Sequence, residues 1–400
     1  MEHRPFSIEL PQRDLDDLRG RLGSTRWPNE LKPRGWASGT ELGFMQELTR
    51  YWLDEYDWRA VEKNLNRFSH FIAKAQGLDL HFLQEKAAGE GAVPIVLLHG
   101  WSDSFYRYAH LIERLTTGTD DGGVVFDVVA PSLPGFDFSA QPGEGQISAG
   151  FAAASIAELM ASLGYERYLV HGGDWGSAVA QEIARNHPDR VMGLHLTDVP
   201  FGNMFTIDKA EASEAEVAFI DAVEAWSSKD AAYVAIQSTK PLTLSYGLSD
   251  SPVGLAAWLI EHFERLSERL PAREDLVTNV MLYWFGNTIR SSIRYYSEGM
   301  DGDWSAGDDD ADWDGAGDAG STDGDGTAWD AAGAEWQQQI AVPTAFALFP
   351  KDIATPPREY AERFFTVTRF TELEHGGHFA ALEVPDLLAA DLRAFAAGLN

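Results

Sequence analysis

Apolar residues in this chain fall into short continuous runs separated by stretches of helical period. Val93-Pro94-Ile95-Val96-Leu97-Leu98 ends at His99-Gly100, Phe126-Asp127-Val128-Val129-Ala130 ends at Pro131, and Tyr168-Leu169-Val170-His171 ends at a glycine pair. Val191-Met192-Gly193-Leu194-His195-Leu196 and the run from Val342 to Phe349 complete the series. Such runs fit parallel strands covered on both faces, so the expected fold class is α/β with a mostly parallel sheet. Ser177 to Ala184 and Pro385 to about Ala397 read as two of the covering helices.

From Phe201 to about Tyr296 the alternation stops, and helical patterns such as Gly254 to Glu261 dominate, which predicts a helical cap inserted into the sheet domain. The first ninety or so residues form a third unit. It opens with the alternating Phe6-Ser7-Ile8-Glu9-Leu10, continues through a helix from Leu15 to Leu22 and contains the aromatic stretch Tyr51 to Trp58. The expected division is therefore 1–91 as an N-terminal domain, 92–200 and 337–400 as two parts of the core, 201–298 as the cap and 299–336 as an acidic insertion.

A length of 400 residues with 44% hydrophobic content is enough to bury a large core. The absence of cysteine excludes disulfides, thiolate metal sites and a cysteine nucleophile. The opening Met1-Glu2-His3-Arg4-Pro5 is polar, and neither a signal-peptide core nor a membrane anchor is legible, so a soluble cytoplasmic protein is expected. A net charge of -31 argues against nucleic acid and anionic membrane as partners.

Eleven aspartates and Glu335 lie between Gly299 and Trp336, with apolar content limited mainly to Trp304, Trp313, Trp329 and scattered alanines. That is too little to offset the entropy of ordering the segment, so a solvated, disordered insertion is expected. Without these twelve groups and Glu298 the net charge would still be -18, so acidity pervades the chain. Eight lysines stand against 23 arginines.

The richest chemistry lies at Gly172-Gly173-Asp174-Trp175-Gly176-Ser177, between the predicted strand and helix. Strand, glycine-flanked residue and helix make a nucleophile elbow, here with aspartate at its centre. The competing reading is a Gly-Asp turn in which Asp174 caps the helix. A carboxylate nucleophile forms an ester whose cleavage needs a base, an orienting acid and oxyanion donors. His378, in Gly376-Gly377-His378-Phe379, is the best base, whereas His187 before Pro188 looks like an ordinary helix end. Asp352 and Asp198 both follow strand ends and could orient it; chain order favours Asp352. The backbone amides of Trp101 and Trp175 are the candidate oxyanion donors. His99, Asp174, Asp352 and His378 would all fall at the carboxyl ends of strands, where sites in such sheets lie.

Read together, these residues resemble the epoxide hydrolases of the alpha/beta-hydrolase fold, in the microsomal and juvenile-hormone branch with its N-terminal domain. The likeness is carried by Leu15-Asp16-Asp17-Leu18-Arg19 with Thr25-Arg26-Trp27-Pro28, Tyr56-Asp57-Trp58-Arg59, His99-Gly100-Trp101, Gly172 to Ser177, Thr239-Lys240-Pro241, Ser251 to Ala257, and Gly376 to Glu383. It implies the alpha/beta-hydrolase fold with an inserted cap and N-terminal extension, Asp174 as nucleophile, Asp352 as relay acid and His378 as base. It also implies two cap tyrosines donating to the epoxide oxygen, matched by Tyr233 and by Tyr296, with the adjacent Tyr295 as the alternative. The implied product is a vicinal diol, formed through an aspartyl ester without metal or organic cofactor.

Two departures stand out. Ser102 and Asp103 replace a proline and a glycine common in the family, which removes the preset geometry of the oxyanion loop; the acidic insertion is also longer than the family linker. Unlike membrane-bound relatives, the chain is expected to lack an N-terminal anchor. The implied partner is a small-molecule epoxide of unspecified class, and a homodimer is left open. The rivals are a haloalkane dehalogenase-like hydrolase, which shares the aspartate-tryptophan pair, and a non-catalytic binding protein on the hydrolase fold. Tyr233 and the N-terminal unit favour the epoxide.

Adaptation to high salt would account for the pervasive acidity, because screening relieves self-repulsion. The melting temperature should then rise as KCl is added; a flat or falling curve would remove that reading.

Overall fold

The computed structural model describes residues 3–29, 32–88, 91–118, 123–143, 146–299 and 338–399; the acidic stretch discussed above, beyond Gly299, lies outside the described residues. Nine strands among these residues form one sheet. They are β1 (His3–Pro5), β2 (His70–Ala75), β3 (Leu78–Glu85), β4 (Val93–Leu98), β5 (Phe126–Pro131), β6 (Tyr168–Gly172), β7 (Val191–Leu196), β8 (Ile340–Leu348) and β9 (Phe365–Glu372). The spatial order is β1-β2-β3-β5-β4-β6-β7-β8-β9. The first four of these pair antiparallel, and β5 through β9 pair parallel.

The continuous apolar runs are the central strands. Ile95 to Leu98 and Tyr168 to Val170 are almost wholly buried, as strands must be when helices cover both faces. Register then positions the chemistry. Leu98 pairs with Gly172, Gly172 with Leu196, and Leu196 with Phe346, so four strands end side by side. The residues just beyond, among them Asp174, Asp198 and Asp352, are thereby delivered to one edge.

The N-terminal segment contributes a helical layer as well as strands. Its helices are α1 (Gln12–Gly23), α2 (Leu42–Asp54) and α3 (Trp58–Leu65). Since β1, β2 and β3 also come from the first 91 residues, that stretch is continuous with the sheet. The alternating segment Phe6 to Leu10 follows β1 outside any strand, although Ile8 is buried between exposed Ser7 and Glu9. Side chains replace the strand ladder: Asn66 bonds both the N–H and the C=O of Ile8 at 2.9 and 2.8 Å, and Glu62 accepts from the Leu10 amide at 2.8 Å. Alternating burial does not by itself require a sheet neighbour.

Between β4 and β7 run α4 (Ala109–Thr116), α5 (Ala149–Ser162) and α6 (Trp175–Asn186). After β7 the described residues up to Gly299 are mainly helical, in α7 (Glu214–Asp230), α8 (Ala232–Thr239), α9 (Pro241–Asp250), α10 (Pro252–Leu266), α11 (Arg273–Gly286) and α12 (Ile289–Glu298). Local sequence sets the breaks. Ser213 and Glu216 form a capping box that starts α7. Pro241 and Pro252 begin α9 and α10 as first-turn prolines, where the missing N–H has no intrahelical partner to lose. The loops beside the N-terminal helices brace this cap: Tyr56 shares a hydrogen bond with Thr278 at 2.9 Å, and Thr40 donates to the Ala257 carbonyl at 2.6 Å. One hydrophobic core spans N-terminal helices, sheet and cap. Among the described residues, no helix is long and apolar enough to cross a membrane.

Asn66→Ala should release the Ile8 segment and lower stability by about 1–2 kcal/mol, at roughly 1 kcal/mol per hydrogen bond. Urea denaturation measures the loss, and hydrogen exchange should locate it at the Ile8 amide; unchanged exchange there would refute the assignment.

Candidate active site

The turn from β6 into α6 holds Asp174 at φ 57°, ψ -130°. A non-glycine residue there costs about 1–3 kcal/mol and persists only where neighbours hold it. Asp198 Oδ2 accepts the Asp174 N–H at 2.6 Å, while the N–H and hydroxyl of Ser177 both donate to the Asp174 carbonyl, at 2.9 and 2.6 Å. Gly176 is required by contact: a Cβ there would lie 2.0 Å from the Leu98 carbonyl oxygen on β4. The Asp174 side chain caps no helical N–H in the manner of an N-cap. Its Oδ1 instead accepts the Trp101 amide at 2.8 Å, and the Trp175 amide also donates to the carboxylate. Both candidate oxyanion donors therefore meet at the candidate nucleophile.

His378 stands between two carboxylates. Its Nδ1 lies 2.8 Å from Asp352 Oδ1, and its Nε2 lies 3.6 Å from Asp174 Oδ2. The His378 loop crosses the end of the cap helix α10, where the His378 amide donates to the Leu266 carbonyl at 2.8 Å. Gly377 permits that crossing, since a Cβ on it would lie 2.2 Å from the same carbonyl oxygen. Burial opposes charge on the imidazole, but Asp352 and Asp174 outweigh it and hold His378 well above the ordinary histidine pKa. Burial likewise opposes charge on Asp174, yet His378 and the two amides bring its carboxyl below the usual value. The two carboxylates thus favour the charged form of His378.

Asp198 takes a different place from Asp352. It braces the Asp174 backbone, and burial first, then the Asp352 charge, push its carboxyl up to about 7. Asp198, Asp352 and His378 offer donor atoms within 4.8 Å of one another, the one grouping among the described residues able to hold a metal ion. Since His378 and Asp352 are spent on each other, its geometry is that of a proton relay.

Aromatic side chains form the opposing wall. Tyr233 of α8 stacks on Trp101, with centroids 5.5 Å apart and planes 12° apart, and faces Tyr296 of α12 at 5.8 Å. Tyr296 also meets the rings of Trp101 and Trp175. Tyr295 touches Trp175 too, but its hydroxyl is committed to the Pro134 carbonyl at 3.1 Å, which leaves Tyr296 as Tyr233's neighbour. Burial, followed for each by nearby phenol or carboxylate groups, raises Tyr233 and Tyr296 far above the ordinary phenol value, so both remain donors.

His99, at the end of β4, does not join this chemistry. Its Nδ1 meets the Gly100 carbonyl and its Nε2 the Leu133 N–H, each at 3.0 Å, and burial lowers its pKa to about 3. Sequence reasoning missed His262, whose ring stands edge-on to Tyr233 with centroids 4.2 Å apart. Its signal was a place four residues after Trp258 on one helix face, with Nδ1 3.1 Å from the Trp258 carbonyl. The departure at Ser102 and Asp103 is accommodated by contacts from the cap. The Trp101-Ser102 peptide is cis. The Ser102 carbonyl accepts from Asn279 at 2.8 Å, and the Asp103 carbonyl accepts from Tyr283 at 2.6 Å.

Comparison with known proteins points the same way. Residues 3–108 match the family described as "Epoxide hydrolase N terminus", and residues 93–242 match "alpha/beta hydrolase fold". The chain is 34% identical to a Stigmatella aurantiaca protein named as an epoxide hydrolase, over 97% of this chain and 83% of that protein. It is 30% identical to epoxide hydrolase 1 of Sus scrofa, over 98% of this chain and 88% of the relative. The crystal structure of juvenile hormone epoxide hydrolase from the silkworm Bombyx mori superposes with a TM-score of 0.81 at 26% identity, covering 100% of this chain and 94% of that one.

The raised pKa of Asp198 has a consequence for stability. Between the unfolded value of 3.8 and the folded value of about 7 the native state holds a proton that the unfolded chain releases, so this contribution falls as pH rises through that window. Asp198→Asn should flatten the fall between about pH 4 and 7 in urea denaturation; an unchanged slope would mean that Asp198 is ionised throughout.

Proposed function

The chain belongs to the epoxide hydrolases of the α/β-hydrolase fold, and on that premise we propose that Asp174, His378, Asp352, Tyr233 and Tyr296 convert an epoxide and water to a vicinal diol. The observation that carries this assignment is the carboxylate of Asp174 held between His378 and the Trp101 amide, beneath two phenols that remain protonated.

Asp174 Oδ1 is engaged by the Trp101 amide, so Oδ2 is the oxygen suited to attack. As it bonds to an epoxide carbon, the C–O bond opposite breaks, and the departing oxygen takes a proton from a phenol of the Tyr233–Tyr296 pair. A strained ether still leaves as a poor alkoxide, and hydrogen-bond donors offset that. Two phenols favour an oxygen leaving group over a halide.

Ester formation changes the electrostatics. The Asp174 carboxylate that stabilised the imidazolium is gone, so His378 loses one of the two charges holding its pKa high. It releases its proton to restore the phenol and becomes a neutral base, oriented by Asp352. His378 then takes a proton from water as the water oxygen attacks the ester carbonyl carbon. Charge develops on Oδ1, which the Trp101 amide already engages, with the Trp175 amide also donating to the same carboxyl group. Collapse expels the second alkoxide, which takes the proton of the newly formed carboxyl, and the diol leaves the resting ion pair restored.

Replacing the base should separate the half-reactions. His378→Gln should accumulate an adduct of epoxide mass on Asp174 in whole-protein mass spectrometry, with diol formation lower by about 10²–10⁴-fold. Asp174→Ala should give neither adduct nor diol. Tyr233→Phe combined with Tyr296→Phe should suppress adduct formation in the His378→Gln background. Diol turnover by a folded Asp174→Ala variant would refute the covalent route.

A further inference from the structure

One buried ion pair joins the two catalytic loops without entering the chemistry just described. Asp103, in the loop after β4, and Arg107, four residues on, lie 2.7 Å apart with side chains 1% and 3% exposed. Asp103 Oδ1 accepts the Gly100 N–H at 3.0 Å, immediately before the oxyanion donor Trp101. Arg107 Nη2 donates to the His378 carbonyl at 2.8 Å. Its guanidinium also lies near the rings of Tyr108 and Phe379, at 5.6 and 5.9 Å. One end of the pair therefore grips the backbone of the oxyanion loop, and the other grips the backbone of the base.

Stability alone is a poor account of this arrangement. Desolvating two charges costs about as much as their attraction returns. Arg107 Nε is moreover buried with no hydrogen-bond partner. What the pair supplies is a fixed separation between the Trp101 amide and His378. These two groups act together on one step, in which water attacks the ester while charge grows on Oδ1. Ester formation depends instead on Oδ2 and the phenols, which the pair does not touch.

We propose that Asp103 and Arg107 are positioning residues for ester hydrolysis, a buried clamp that holds the oxyanion loop and the base in mutual register. The proposal rests on the two-step epoxide reading above. Arg107→Lys keeps the positive charge but gives up the planar fork that spans Asp103 and the His378 carbonyl. Asp103→Asn keeps an acceptor for Gly100 and gives up the ion pair.

Single-turnover quenching followed by whole-protein mass spectrometry yields the rates of ester formation and ester loss, with circular dichroism reporting the fold. In both variants the rate of ester loss should fall at least tenfold while formation stays within threefold of wild type, so that ester accumulates. Equal slowing of both steps, or no change in either, would overturn the clamp. Failure of both variants to fold would assign the pair to stability and overturn it equally. If wild type itself shows neither ester nor diol across an epoxide panel, the epoxide reading fails rather than the clamp.

Discussion

The site depends on a buried histidine held between two carboxylates that favour its charged form. His378 is 3% exposed, and in such surroundings charge survives only where opposite charge and aligned dipoles replace water. Asp174 and Asp352 provide the charge, and the amides of Trp101 and Trp175 neutralise part of what Asp174 carries. The same balance makes the site responsive. On the proposed route, converting the Asp174 carboxylate to an ester removes part of what supports the charged His378, so the first half-reaction would prepare the base for the second.

That balance is set by backbone geometry more than by side chains. Parallel register brings four strand ends into line, and the tight crossing of Gly176 under Leu98 leaves Asp174 in a conformation that Asp198 and Ser177 hold in place. The oxyanion donors are amides whose position follows from the same turns. Side chains choose the chemistry, and the sheet edge fixes where it happens.

Much of this was legible in the amino-acid pattern, because strand ends and glycine-flanked turns are local signals. The buried runs marked the central strands, and Gly172 to Ser177 marked the elbow. Other features were hidden because they depend on contacts across long sequence separations. Nothing near Asn66 announces that it holds Ile8, 58 residues away. His99 shares its strand-end position with reactive groups, and only its partners Gly100 and Leu133 show that it serves the loop. Asp103 stood out as a departure from the family, yet its meaning required seeing Arg107 reach His378 across 271 residues. Chain order already favoured Asp352 as the orienting acid, but the role of Asp198 in bracing the Asp174 amide emerged only in three dimensions.

The cap helix α10 carries one further implication, for altering which molecules fit. Its carbonyls at Ala257, Leu259 and Leu266 accept from Thr40, Ser102 and the His378 amide respectively. This helix is therefore a rail to which the N-terminal layer, the oxyanion loop and the base are all fastened. Helix α8 holds Tyr233 over the nucleophile while exposing Ile236 to solvent, and α9 beside it exposes Leu242 and Tyr246. Variation can accumulate on the exposed faces of α8 and α9, away from Tyr233, with little disturbance to the relay, whereas changes in α10 bear on all three of its attachments. Mutational libraries aimed at new selectivity therefore belong on α8 and α9 with Tyr233 kept, rather than on α10.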